Sequence, residues 1–212
     1  MNNKDEKLNY QSLFDYYIES EFLDTTLEYG IIKGNSKIVL FKPGLTGTLL
    51  GKNNYHYNIA KLIHNKYGCT VICSNNPDNN TKNTLEDAYQ LINEYVSFMN
   101  YENYEIYYLG DSNGGVLGGR YVFLYPNIKK ALLINPPLFI SYHKLKDGML
   151  KFNGDKMVFV YGSLDPSYKF VKMLENTGND KVSYVVLENK DHNLSDDIKL
   201  LESLLDDYLF NN

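Results

Sequence analysis

Residues Tyr104 to Tyr125 read YEIYYLGDSNGGVLGGRYVFLY. Ile106, Tyr107, Tyr108 and Leu109 form a short apolar run, as a buried strand does. The run breaks at Gly110-Asp111-Ser112-Asn113-Gly114. Beyond the break, Val116, Leu117, Tyr121, Val122 and Tyr125 recur at helical spacing. The stretch is therefore a strand, a sharp turn and a helix, with one serine at the tip of the turn. In the pattern G-x-S-x-G, small neighbours permit a strained backbone that exposes the serine hydroxyl. Gly114, Gly115, Gly118 and Gly119 are expected to let the helix approach the sheet closely, a packing role.

Working outward, short apolar runs recur at 38–41, 69–73, 131–134, 157–161 and 182–187, separated by helical patterns. Tyr57, Ala60, Ile63 and Tyr67 mark a helix ending at Gly68, a suitable C-cap. Leu85, Ala88, Leu91, Ile92, Tyr95, Val96 and Met99 form a strong helical stripe, with Thr84 as its expected N-cap. Further helices are expected from Ser167 to Asn176 and over Leu194, Ile198, Leu201, Leu205 and Tyr208. Residues 138–156 read as a loop or short helix. At the N-terminus, Tyr10, Leu13, Phe14, Tyr17 and Ile18 predict an amphipathic helix over 9–22, and Leu27, Tyr29 and Ile31 predict a half-buried edge strand. The expectation is an α/β fold: a mainly parallel twisted sheet of about 6–7 strands with helices on both faces. One domain over 1–212 is expected, with residues 1–24 as a helical extension.

Composition narrows the function classes. The chain has 212 residues, 43% of them hydrophobic and 22% charged, which is ordinary globular composition. A net charge of -5 gives no basic footprint for nucleic acid. The N-terminus lacks the apolar core of a signal peptide, and no run reaches the length of a membrane span, so a cytoplasmic protein is expected. Cys69 and Cys73 in one strand would stand about 13 Å apart at ~3.3 Å per residue, too far for a disulfide. Gly47 to Asn53 follows a strand like a phosphate-binding loop, but Thr46 and Asn53 occupy two of that motif's fixed positions. There is no HExxH, and neither metal nor cofactor is expected.

Sites in parallel sheets form at the carboxyl ends of strands. Four such ends carry suggestive residues: Ser112, Asp165 after 157–161, His192 after 182–187, and the loop Gly44-Leu45-Thr46 after 37–41. Asp165 competes with Asp191 for the acid role and is also placed to cap the helix that follows. Of the four histidines, His192 alone follows a late strand and precedes a final helix. His56 and His64 are expected on a helix surface, and His143 in a loop near the site. The residue after the serine, Asn113, is the expected first N–H donor to a developing oxyanion. Leu45 is the expected second donor, with Gly44 and Thr46 as alternatives.

The order Ser, Asp, His and the turn Gly110-Asp111-Ser112-Asn113-Gly114-Gly115 resemble the α/β-hydrolase superfamily over roughly residues 25–212. The turn is similar to the GDSAGG elbow of hormone-sensitive-lipase-like esterases, and Asp165-Pro166 to their acid loop. Lys42-Pro43-Gly44-Leu45 stands where that group has HGGG, so the resemblance extends to the superfamily and not to the subfamily. It implies a serine hydrolase working through an acyl-enzyme on a small to medium ester or thioester. An acyltransferase, a peptidase, or a non-catalytic ligand-binding protein on the same fold stand as alternatives. The segment between 129–134 and 157–161 is too short for a multi-helix cap. Leu138, Phe139, Ile140 and Tyr142 in that segment either line an acyl pocket or cover the sheet edge.

Overall fold

The computed structural model describes residues 10–22, 25–77, 82–139, 142–175, 177–193 and 197–211. Eight strands form one sheet: β1 (Tyr16–Phe22), β2 (Thr25–Ile32), β3 (Asn35–Lys42), β4 (Cys69–Ser74), β5 (Glu105–Asp111), β6 (Ile128–Ile134), β7 (Lys156–Gly162) and β8 (Val182–Leu187). Their spatial order is β1-β2-β4-β3-β5-β6-β7-β8. The pairs β1/β2 and β2/β4 are antiparallel, and the other five pairings are parallel.

Four α-helices lie between strands, α1 (Tyr55–Tyr67), α2 (Lys82–Phe98), α3 (Asn113–Tyr121) and α4 (Tyr142–Lys151), and α5 (Ile198–Leu204) follows β8, among the described residues. Alternate residues of each central strand feed opposite faces. Ile38 and Leu40 join the core under α2, α3 and α4, whereas Val39 and Phe41 join the core under α1 and α5. Burial on both faces explains why these strands read as unbroken apolar runs.

The N-terminal expectation is overturned. Only residues 10–13 are helical within the described part of 9–22, and Tyr16–Phe22 is a strand. Tyr10, Phe14, Tyr17 and Ile18 satisfy a helical spacing, but Tyr16 and Ile18 pack on one core while Tyr17 packs on the other. That is a period of two, and seven paired residues on β2 supply the hydrogen bonds that complete it. The sheet therefore has eight strands rather than six or seven, and β2 is interior. Leu27, Tyr29 and Ile31 are accordingly buried. Residues 1–9 and 23–24 lie outside the described residues.

Other boundaries shift locally. Helix α2 already includes Thr84 as its third residue, so Thr84 is not its N-cap. Asp87, one turn on, is instead a core anchor: it accepts from Ser20 Oγ at 2.8 Å and from the Tyr29 hydroxyl at 2.6 Å. Gly68 caps α1 with φ 67°, its N–H donating to His64 O. The segment after Ser167 is a 3-10 helix, Tyr168–Leu174, and α5 continues into a π-helical turn, Leu205–Phe210. Leu194 and Asn176 lie outside the described residues. Cys69 and Cys73 are both free and buried.

Helix α4 occupies much of the segment between β6 and β7, and it does not form a cap. Leu145 and Met149 are buried in the core beside α3. At Gly148 a Cβ would lie 2.2 Å from Gly119 O, so the two backbones are in direct contact. The helix covers the sheet, and among the described residues no helix forms a lid over the strand ends.

Candidate active site

The site is built on the turn after β5. Ser112 has φ 48° and ψ −112°, a conformation that side chains other than glycine rarely adopt. Its neighbours hold it there. Ser112 N–H donates to Ile134 O at 2.7 Å, and Gly114 O accepts from the buried Tyr108 hydroxyl at 2.7 Å. A Cβ at Gly114 would stand 2.1 Å from Lys42 O, so the start of α3 is seated directly on the end of β3. At Gly118 a Cβ would meet the Tyr108 ring at 2.3 Å. The glycines of this helix act in packing, as their spacing suggests.

His192 and Asp165 converge on the serine from the ends of β8 and β7. His192 Nε2 lies 3.0 Å from Ser112 Oγ, and His192 Nδ1 lies 2.5 Å from Asp165 Oδ2. The bonding pattern assigns the ring proton to Nδ1, facing the carboxylate, which leaves Nε2 to accept the Ser112 O–H. The Asp165 side chain is 1% exposed and that of His192 is 43% exposed. Asp165 Oδ1 accepts from Ser167 N–H at 2.6 Å, so one oxygen organises the local turn while the other meets the imidazole. Asp191 is not in this position: its Oδ1 accepts from Asn193 N–H at 3.0 Å. Burial holds the nearby Tyr161 hydroxyl well above its ordinary pKa, and the Asp165 charge adds to this. Tyr161 is therefore a neutral donor, to Pro136 O at 3.0 Å.

The loop after β3 faces the serine. A Cβ at Gly44 would lie 3.4 Å from Ser112 Cβ. Thr46 N–H is committed to Asn76 O at 2.8 Å, and Gly47 N–H to Gly44 O at 3.0 Å. Thr46 is thereby removed as a free donor, and Leu45 and Gly44 remain. On the other side, the Asn113 N–H belongs to the first turn of α3, where N–H groups have no intrahelical acceptor.

Two asparagines that the sequence analysis did not single out organise these loops. Asn76 is fully buried; its Nδ2 donates to Pro43 O at 2.7 Å and its N–H to Gly47 O at 2.8 Å. Asn135, also fully buried, donates from Nδ2 to the carbonyls of Asp191 and His192. The available signal was an asparagine just past an apolar strand, which ordinary turns share. Below the loop, the Lys42 side chain is wholly buried and its Nζ donates to Asn75 O at 2.9 Å. Burial pushes this ammonium down to about 7, partly offset by the charge of Asp87.

Of the expected pocket residues, Leu138 is 1% exposed and sits in the core, so it does not line an open pocket. Phe139 is 61% exposed. Tyr142 is partly buried and its hydroxyl donates to Met173 O. Ile140 lies outside the described residues. His56 Nδ1 contacts Thr48 O and His64 Nδ1 contacts Cys69 O. His143 lies on α4 and lines a cavity with Arg120 and Tyr121, at the end of α3 remote from Ser112.

No protein-family model matches this sequence. Among curated proteins, phytyl ester synthase 2 of Arabidopsis thaliana is 28% identical over 163 residues, covering 71% of this chain. The chain spans only 22% of that relative's length. Among solved structures, an α/β serine hydrolase homologue from Coxiella burnetii superposes with a TM-score of 0.70 at 15% identity, covering 91% of this chain and 96% of that one. Est1E from Butyrivibrio proteoclasticus gives 0.67 at 12% identity, covering 88% and 93%. An α/β serine hydrolase from Xanthomonas campestris described as lacking a lid gives 0.62 at 13% identity, covering 90% and 91%.

Proposed function

Given that this chain has the α/β-hydrolase fold without a large cap, we propose that it is a serine hydrolase acting on small to medium carboxylic esters or thioesters. The observation that carries this reading is the continuous contact from Asp165 Oδ2 through His192 to Ser112 Oγ, with the serine on a strained turn. A buried carboxylate, an imidazole and a half-buried hydroxyl in that sequence can pass one proton in a defined direction.

In the proposed reaction, Ser112 Oγ attacks the acyl carbon while its proton moves to His192 Nε2, a contribution of about 10²–10⁴ in rate. Asp165 stabilises the imidazolium through Nδ1–H. The carbonyl oxygen, now carrying the charge, accepts hydrogen bonds from Asn113 N–H and from Leu45 N–H, or from Gly44 in its place. The leaving alcohol or thiol departs with the proton from Nε2. Water then repeats the sequence on the acyl-enzyme and releases the acid.

Exposed apolar side chains support an acyl substrate. Leu45, Phe139, Leu164 and Tyr168 are 52%, 61%, 64% and 43% exposed, and they follow β3, β6 and β7. At ~4.8 Å between strands, these ends flank the end of β5. The test is labelling by a fluorophosphonate probe, followed by turnover of p-nitrophenyl esters of rising chain length and of acyl-CoA. Wild type should label and Ser112→Ala should not; equal, weak labelling of both would reject the proposal. A second reading, transfer of the acyl group to an alcohol, is favoured by the ester-forming name of the Arabidopsis relative. Ester formation from acyl donor and added alcohol, faster than hydrolysis, would establish it over the first.

A further inference from the structure

We propose that Asn135 is a positioning residue for His192, and that its side-chain amide keeps the imidazole between Asp165 and Ser112. The residue follows β6, is fully buried, and has φ 45°. Both donors and the oxygen of its amide are engaged. Oδ1 accepts from Gly162 N–H at 3.0 Å, at the end of β7. Nδ2 donates to Asp191 O at 3.1 Å and to His192 O at 2.9 Å. Its own N–H donates to Val160 O at 2.8 Å, and the preceding carbonyl, Ile134 O, accepts from Ser112 N–H. Asn135 thus joins the end of β7 to the loop that carries the imidazole, and its neighbour Ile134 holds the nucleophile's backbone.

Among the described residues, Asn135 Nδ2 is the group that holds the His192 carbonyl. The rest of the loop is anchored further back, through Lys190 O to Leu164 N–H and through Asn189 N–H to Ser163 Oγ. The loop has no slack to one side: a Cβ at Gly162 would stand 2.1 Å from Lys190 O. The amide is chemically required, because the site needs one acceptor and two donors on one planar group. A carboxylate would turn an oxygen toward two carbonyls. Loss of the donors frees the His192 backbone, and a displacement of about 1 Å at a reacting group can cost about 10² in rate.

The kinetic part of this inference rests on the hydrolase reading above, so the test has one readout that does not. Asn135→Gly keeps the positive φ and removes the amide, and Asn135→Asp keeps the volume and removes the donors. In wild type, the His192 Nδ1 proton facing Asp165 should give a far-downfield proton resonance. Both variants should lose or shift it, and kcat should fall about 10²-fold with KM little changed. Tyr29→Phe, which removes a partly buried hydrogen bond on β2, three strands away from β5, serves as the control. At comparable loss of Tm it should leave both the resonance and kcat unchanged. Wild-type kcat and resonance in both Asn135 variants would overturn the inference, as would failure of both to fold. If wild type itself neither labels nor turns over, the hydrolase reading fails and the resonance alone judges this one.

Discussion

Ser112 Oγ and His192 Nε2 lie 3.0 Å apart across 80 positions of sequence. Nothing local draws them together. The contact exists because β5 and β8 lie in the parallel part of one sheet and end on the same edge of it, with β6 and β7 between them to set the spacing.

If this contact and its extension to Asp165 carry the chemistry, removing the carboxylate should uncouple it. Asp165→Asn should lower kcat by about 10⁴ at neutral pH, since an amide no longer fixes the imidazole tautomer. Ser112→Ala should abolish covalent labelling. Asp191→Asn should leave both near wild type, because among the described residues its carboxylate accepts from Asn193 N–H and does not reach His192 in place of Asp165. Steady-state kinetics on the best ester of the screen checks all three.

Gly114→Ala tests how the elbow is seated. The new methyl would meet backbone, Lys42 O at 2.1 Å, and no flexible side chain can yield. The expected cost is about 1–3 kcal/mol, read from denaturant midpoints. Labelling by the probe should also slow, because displacing the start of α3 moves the Asn113 N–H.

Lys42 makes stability depend on pH in a stated direction. Burial lowers its pKa to about 7 from 10.5 in the unfolded chain. Between those values the unfolded state binds more protons, so native stability rises with pH and the cost is fully present below about 7. Replacing the residue by methionine removes this dependence. The stability of wild type relative to Lys42→Met should therefore increase as pH is raised from about 7 to 10.5, by at most about 1.4 kcal/mol per pH unit. Urea denaturation of both proteins at several pH values across that window measures it.

Tyr29→Phe tests the anchor beneath the antiparallel strands. The hydroxyl donates to Asp87 Oδ2 at 2.6 Å, and burial holds the phenol neutral by raising its pKa far above the ordinary value. Removing it leaves a carboxylate oxygen short of a donor, at a cost of about 1.5–3 kcal/mol. Thermal denaturation should show the loss, and esterase activity per folded molecule should be unaffected.

The sequence by itself determined the features that local chemistry controls. The run Ile106–Leu109 followed by Gly110–Gly114 specifies a strand and a tight turn, because apolar residues must be buried and small ones permit a positive φ at Ser112. The carboxyl-end placement of Asp165 and His192 also followed from the strand pattern. Tertiary structure decided what depends on partners distant in the chain. Tyr16–Phe22 has residues that suit helix or strand, and pairing with β2 resolves the ambiguity. Asp165 and Asp191 are equally acidic on paper, and only the packing of the β7 loop aims the former at His192. Thr46 lost its free N–H to Asn76, and Leu138 its pocket to the core. Asn76 and Asn135 pass unremarked in the sequence because their value lies in the carbonyls they reach, and hydrogen bonds between loops leave no periodicity in a sequence.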